Sequence, residues 1–292
     1  MAVLIDPPTW PAHGTVFSHL VSTSSLEELH AFAAAAGIPR RAFDEDHYDV
    51  PERRYRDLVA QGAQEVAGVE LVRALIASGL RVPARRRAPK LRAALMTRWD
   101  ALLPAVPGLG RELLDRWAEG HREYHNPAHL LAVLEALDVL LEPADEPVRG
   151  AVLLAAWFHD AVYEGVAGQD ERASASLAVQ RLHGIVPDAV VRDVERLVLL
   201  TATHEPAPED RAGHLLCDAD LAVLAGAPED YARYVAAIRA EYRHVPRQAF
   251  TDGRRAVLKR LLGLDPLYRT TTAQAEWAGR ARSNLAQELE SL

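Results

Sequence analysis

The pattern of apolar and polar positions divides the chain in two. Over residues 2–80 the signals are mixed. Val3-Leu4-Ile5 is a short apolar run, as in a buried strand, and it ends in Asp6-Pro7-Pro8. Ser25 precedes an apolar, periodic segment reaching Ala36, with Glu28 three residues on and Gly37 behind it, so a capping box opens a helix and a glycine closes it. Residues 52–79 read as further helix ending at Gly79, and 80–82 as a second strand. From about residue 93 almost every segment has helical periodicity. It is punctuated by Pro104, Pro107, Pro143, Pro147, Gly184, Pro187, Pro206, Pro228, Pro246 and Pro266, with no strand signal and no internal repeat. The expected architecture is a small α/β domain over 1–82, a linker over 83–92, and an all-α bundle of about eight helices over 93–292.

Composition changes this picture little. The 292 residues are 49% hydrophobic and 25% charged, which suits soluble globular structure. Cys217 is the sole cysteine, so an intramolecular disulfide is excluded and a reducing compartment fits. Residues 1–6 lack the basic start and apolar stretch of a signal peptide, and the most apolar later run, 152–158, is too short to cross a bilayer. The expectation is a cytoplasmic protein with no membrane partner. A net charge of -8 argues against a surface built for the phosphate backbone of nucleic acid. One stretch departs from the acidic background: 81–92 holds Arg81, Arg85, Arg86, Arg87, Lys90 and Arg92 with no acid. A solvated linker is its first reading, and a phosphate or nucleic-acid contact the alternative.

The candidate chemistry lies in the helical part. Tyr124-His125-Asn126-Pro127-Ala128-His129 is followed by His159-Asp160 and later by Asp218-Ala219-Asp220. Neutral imidazole and carboxylate oxygen are ligands for divalent ions, and an incompletely filled coordination sphere can activate water, so the pattern points to a hydrolase. Asn126-Pro127 is a helix start that puts His129 in the first turn with His125 just before it, both facing one cavity. Residues 152–163 are apolar on all sides until the His159-Asp160 pair, the pattern of a central helix. A buried carboxylate beside a buried imidazole is costly unless paired or metal-bound. Asp218 and Asp220, two apart on a helix, point in different directions: one can ligate while the other caps the helix or orients a histidine. Neither a Gly-x-Ser-x-Gly elbow nor a Walker loop is present.

The order His129, His159-Asp160, Asp220 resembles the H…HD…D signature of the HD superfamily of metal-dependent phosphohydrolases. The wording Tyr-His-Asn-x-x-His, Phe-His-Asp-x-x-Tyr and Asp-Ala-Asp-Leu resembles its predicted-phosphohydrolase branch, and the first motif also resembles cyclic-nucleotide phosphodiesterases. The likeness covers roughly residues 93–290 and takes in Arg122, Glu171 with Ser174, Thr203-His204, Arg239 with Glu241-Tyr242, Gly253-Arg254 and Ala281-Arg282-Ser283-Asn284-Leu285. It implies an all-α HD-domain bundle in which His129, His159, Asp160 and Asp220 bind one or two divalent ions (Mn, Mg, Zn, Fe, Co or Ni), with Asp160 able to bridge. In the phosphodiesterases the histidine matching His125 donates a proton to the leaving oxygen, so His125 is the expected donor. Glu171 is read as orienting the attacking water or as standing behind a ligand, and Asp218 as supporting a ligand from behind, with simple helix capping as its alternative. His204 is read as a second-metal or substrate contact, with helix capping as the alternative. Arg239, Arg254 and Arg282 are candidates for the substrate phosphate, with ion pairing to acids such as Glu241 as the alternative. The implied function is hydrolysis of a phosphate ester of a small phosphorylated or nucleotide substrate by metal-activated water; the alternative is a sensor or scaffold that binds metal and nucleotide without turnover.

Residues 3–6, His19, Glu28-Leu29-His30-Ala31-Phe32-Ala33 and His47-Tyr48-Asp49-Val50-Pro51 resemble a small bacterial domain family of unknown function. Asp6, His19, His47 and Asp49 could form a polar cluster at the strand ends, with capping and turn roles as the alternative.

Overall fold

The computed structural model describes residues 2–12, 14–81, 88–166 and 168–292, and the chain divides into two compact units, Met1–Lys90 and Leu91–Leu292. The first is α/β, as the apolar pattern predicts. Its strands are β1 (Val3–Ile5), β2 (Trp10–Ala12), β3 (Thr15–Ser22), β4 (Phe43–Asp44), β5 (His47–Pro51) and β6 (Gln64–Glu65). They pair in the order β4-β5-β3-β1-β6, with β2 on β3. β1 and β6 run parallel and the other pairs antiparallel.

Three helices cover the sheet: α1 (Leu26–Ala35), α2 (Glu52–Ala60) and α3 (Gly68–Ala77). The period of two sorts the strand residues between them. Val3, Ile5, Leu20, Tyr48 and Val50 pack with Leu29 and Ala33 of α1 and Leu58 of α2. Leu4 and Val21 pack with Leu71 and Leu75 of α3. Because β3 pairs His19 with Asp49 and Leu20 with Tyr48, the residues alternating with Leu20 share the α3 side of the sheet, His19 and Asp49 among them.

Ser25 caps α1 by accepting the Glu28 N–H, but the capping box does not close, because the Glu28 carboxylate accepts the Ser22 and Ser24 hydroxyls and the Ser25 N–H goes to Ser22 Oγ; Gly37, at φ +68°, ends the segment. Residues 52–79 are not one helix: Gly62 at φ +109° turns the chain after α2, and β6 intervenes before α3. Leu80 and Arg81 form no strand, and Val82 lies outside the described residues. Of the expected linker, 83–87 also lie outside them, while 88–92 already belong to helix.

The second unit is helical, as expected. Among the described residues its helices are α4 (Ala88–Leu102), α5 (Pro107–Trp117), α6 (Pro127–Leu140), α7 (Glu146–Phe158), α8 (Asp170–Leu182), α9 (Asp188–Leu200), α10 (Arg211–Asp220), α11 (Pro228–Glu241), α12 (Arg247–Gly263), α13 (Thr271–Glu276) and α14 (Ala278–Ser291). This is eleven rather than about eight. Part of the surplus comes from a break at Trp277, which separates the six-residue α13 from α14. The core gathers Trp99, Trp117, Leu130, Leu137, Val152, Trp157, Phe158 and Leu215, all without exposure. α7 sits at its centre because it is apolar all round. Gly110 permits α5 to approach α4, since a Cβ there would lie 2.4 Å from the Trp99 ring. Burial at this density fixes the ends of α6, α7 and α10, which carry the polar residues of interest.

Candidate functional site

Each functional side chain stands at a helix end. The Asn126 side chain accepts the N–H of Ala128 at 2.8 Å and of His129 at 3.4 Å, so α6 begins where the sequence signal predicts and His129 occupies its first turn. His159 closes α7, Asp160 follows it, and Asp220 is the last residue of α10. His129 Nε2 lies 3.3 Å from His159 Nε2 and 3.1 Å from Asp220 Oδ1, and His159 Nε2 lies 3.5 Å from the same oxygen. Asp160 Oδ2 adjoins at 3.2 Å from His159 Nε2 and 3.9 Å from His129 Nε2.

These spacings suit an ion. Ligands about 2.0–2.1 Å from a tetrahedral centre stand roughly 3.3 Å apart, the spacing of the three donors here. His159 Nδ1 donates to Ala156 O at 2.9 Å, which leaves the Nε2 lone pair for the cluster. Two carboxylates with little exposure converge on imidazoles, a negative field that calls for positive charge. In the bare protein His159 takes that part: burial alone would lower its pKa, but Asp160 and Asp220 outweigh burial and push it well above the ordinary value. Both carboxyls lie below the usual range in turn, the attraction of His159 overcoming the opposing effect of burial. His129 is lowered by burial.

His125 has a different environment. Its Nδ1 meets Glu241 Oε1 at 2.5 Å, and its ring stacks on Tyr163 with centroids 4.3 Å apart. Glu241 Oε2 accepts the backbone N–H groups of Glu123, Tyr124 and His125 at 2.9, 2.9 and 3.1 Å, and Oε1 accepts the Tyr163 hydroxyl at 2.8 Å. Burial opposes the His125 cation, but the Glu241 hydrogen bond and the nearby carboxylates outweigh it and raise the pKa. Arg122, buried, donates to the carbonyls of Asp160 at 2.6 Å, His125 at 3.2 Å and Ala161 at 3.3 Å, fastening the loop before α6 to the end of α7.

A cavity of about 470 Å³ opens beside the cluster, lined by His125, His204 and Asp220 on one side and by Tyr124, Tyr234, Tyr242 and Phe250 on others. His204 joins the cluster: its Nε2 is 2.8 Å from Asp220 Oδ2, and the turn carrying it holds φ +55°. His204 Nδ1 is buried with no partner among the described residues.

The remaining candidates are placed elsewhere. Asp218 is not brought to the histidines; its carboxylate accepts the amides of Arg269 at 2.9 Å and Thr270 at 2.7 Å, because its position on α10 is turned away from that of Asp220. Glu171, in the first turn of α8, accepts the Gly168 N–H at 2.6 Å. Arg239 donates to the Tyr242 carbonyl at 2.8 Å and Arg282 to the carbonyls of Leu262 and Leu264 at 3.1 and 2.8 Å. Arg254 lines the cavity, but Glu288 engages it through both oxygens at 2.7 and 2.9 Å. Arg260, on the lining and exposed, donates to the carbonyls of Thr203 at 3.2 Å and Ala202 at 3.5 Å. Glu241 enters the sequence pattern beside Arg239 and Tyr242, and nothing local to Arg239-Ala240-Glu241 signals that it braces His125.

In the α/β unit, Asp6, His19, His47 and Asp49 do come together. His19 Nδ1 is 3.0 Å from Asp6 Oδ2, and His47 Nε2 is 3.3 Å from Asp49 Oδ1. Burial lowers the His47 pKa, but its hydrogen bonds to Asp46 and Asp49 outweigh that and raise it to about 9.

Fold and site together define a two-unit protein, a small α/β unit followed by a helical unit with a His/Asp cluster at its helix ends. Residues 3–78 match the family described as a protein of unknown function (DUF4031). No curated protein and no solved structure matches the chain.

Proposed function

We propose that the chain is a metal-dependent phosphohydrolase of the HD superfamily, acting on a phosphate ester of a small molecule. The observation that carries this reading is the convergence of donor atoms from His129, His159 and Asp220 at 3.1–3.5 Å, with a braced imidazole, His125, on the adjoining cavity. His129, His159, Asp160 and Asp220 are the residues that would hold the ion or ions. A divalent ion there supplies Lewis-acid polarisation of a phosphoryl oxygen and activation of water.

The chain's own groups do the rest. The carbonyl of Ala156 fixes the His159 tautomer, keeping Nε2 available for a ligand role. Glu241 holds His125 by Nδ1 and, with the nearby carboxylates, favours its imidazolium form, whose Nε2–H is the proton that His125 delivers to the leaving oxygen. The Arg122 clamp keeps that donor in register with Asp160. Four aromatic rings on the lining favour a substrate with a planar or apolar organic part, and a cavity of about 470 Å³ suits a molecule of nucleotide size. Arg254, neutralised by Glu288, orients Tyr234 through a 3.0 Å hydrogen bond, while Arg260, anchored through Nη1 on the carbonyls that precede His204, is the exposed cation on the lining that a phosphate would meet.

The test is metal analysis of the purified chain followed by a screen of phosphomonoesters, nucleotides and cyclic dinucleotides. Release of phosphate or nucleotide that stops on chelation is expected. Bound metal with no hydrolysis of any phosphate ester would favour a sensor, and absence of bound metal would remove both readings.

A further inference from the structure

We propose that the α/β unit carries a metal site of its own, formed by His19, His47 and Asp49 and suited to a divalent ion of the zinc class. The antiparallel register of β3 and β5 sets His19 opposite Asp49, and His47, two residues from Asp49, shares its face of the sheet. One donor atom from each lies within 4.8 Å of the others, a span that small side-chain rotations close. His47 Nε2 and Asp49 Oδ1, at 3.3 Å, already match the roughly 3.3 Å between ligands on a tetrahedral zinc ion. The two imidazoles meet edge to face with centroids 4.9 Å apart, and Trp10 packs edge-on against His19 at 5.2 Å.

The groups behind the histidines are those that orient metal-bound imidazoles. Asp6 engages His19 twice, at Nδ1 (3.0 Å) and at the backbone N–H (2.5 Å). Asp46 engages His47 at Nδ1, at 2.6 Å. Both carboxylates are buried, at 3% and 0% exposure. Each accepts an Nδ1–H, so that once a metal displaces the proton His47 shares with Asp49, the lone pair on Nε2 is the one presented, the arrangement in which carboxylates orient metal-bound histidines. Three carboxylates, Asp6, Asp46 and Asp49, gather around two imidazoles, with Arg81 facing Asp46 at 3.6 Å. Three protein donors also leave a coordination position for water or an anion, as in zinc sites that bind a further ligand.

The experiment uses the full chain and zinc alone. Zinc retained per chain after dialysis is measured for the wild type and for His19→Gln and Asp49→Asn, with far-UV circular dichroism as the folding control. Each substitution is expected to lower the content by one ion per chain with the spectrum unchanged. The Asp49 side chain is 47% exposed, so its replacement leaves the fold intact even if the His19 change does not. Asp6→Asn, which removes only the group behind His19, is expected to weaken zinc by about 10–100-fold in a chelator competition. Equal zinc in wild type and Asp49→Asn, or a wild type that retains none, overturns the proposal. The site lies wholly within Met1–Lys90, so failure of the phosphohydrolase reading leaves this outcome untouched.

Discussion

Replacing Glu241 by glutamine is the most informative single change in the helical unit. Glu241→Gln keeps the shape but turns one of two accepting oxygens into an NH₂ donor. Oε2 faces three backbone N–H groups and Oε1 faces His125 Nδ1 and the Tyr163 hydroxyl, so the amide keeps its oxygen on the backbone groups and turns its NH₂ to the imidazole and the hydroxyl, both of which lose a charged acceptor. Losing two bonds to a charged acceptor costs about 3–5 kcal/mol. A second route gives a similar figure. The carboxyl is moved from 4.5 to about 2 despite burial, because His125 and the backbone amides favour its charged form, and its side chain is only 4% exposed. At about 1.4 kcal/mol per unit this corresponds to roughly 3 kcal/mol. The sign follows from a depressed carboxyl: the stabilisation is complete above the unfolded value near 4.5 and is lost as pH falls toward 2. Urea unfolding followed by tryptophan fluorescence reports the effect, since Trp99, Trp117, Trp157 and Trp277 all lie in the helical unit. Glu241→Gln is expected to lose about 3 kcal/mol at neutral pH, with the difference from wild type shrinking below pH 4. A loss under about 1 kcal/mol, or one independent of pH, would refute the assignment of Glu241 as the brace of this loop.

Three other outcomes follow from the same geometry. His125→Ala is expected to retain bound metal while turnover falls about 10²–10⁴-fold, measured on whichever phosphate ester the screen identifies; full turnover would remove His125 as the donor. Arg122→Lys keeps the charge but not the planar fork that reaches three carbonyls, and should cost about 3 kcal/mol in urea unfolding together with weakened metal retention. Cys217 is 2% exposed and its thiol is pushed well above the ordinary value, first by burial and then by Asp220 and Asp218, so a thiol reagent should label it only when the chain is unfolded.

Local signals carried far in this sequence, and non-local ones did not. Ser25 with Glu28, and Asn126 with Pro127, are caps whose physics is complete within four residues, and both open helices where expected. His129, His159 and Asp220 were readable as a group because apolar helices cannot carry such residues without a partner. β3 was passed over although Thr15-Val16-Phe17 and Leu20-Val21 have the β-branched and aromatic character of a strand. Strand pairing depends on β1 and β5, which are remote in sequence, and no window shows it. The pairing of Glu241 with His125 is hidden for the same reason: 116 residues separate the two. The arginines failed differently. Arg239, Arg254 and Arg282 were sound candidates by type, but each is already occupied by carbonyls or by Glu288, and side-chain type alone does not reveal a partner.

The central claim is that the helix ends of α6, α7 and α10 form a metal centre. Anomalous diffraction from a crystal grown with manganese, recorded on either side of the manganese edge, tests it directly. The account predicts a peak within bonding distance of His129 Nε2, His159 Nε2 and an Asp220 oxygen, with Asp160 alongside. A map with no anomalous density there, in a crystal that shows manganese elsewhere, would contradict it.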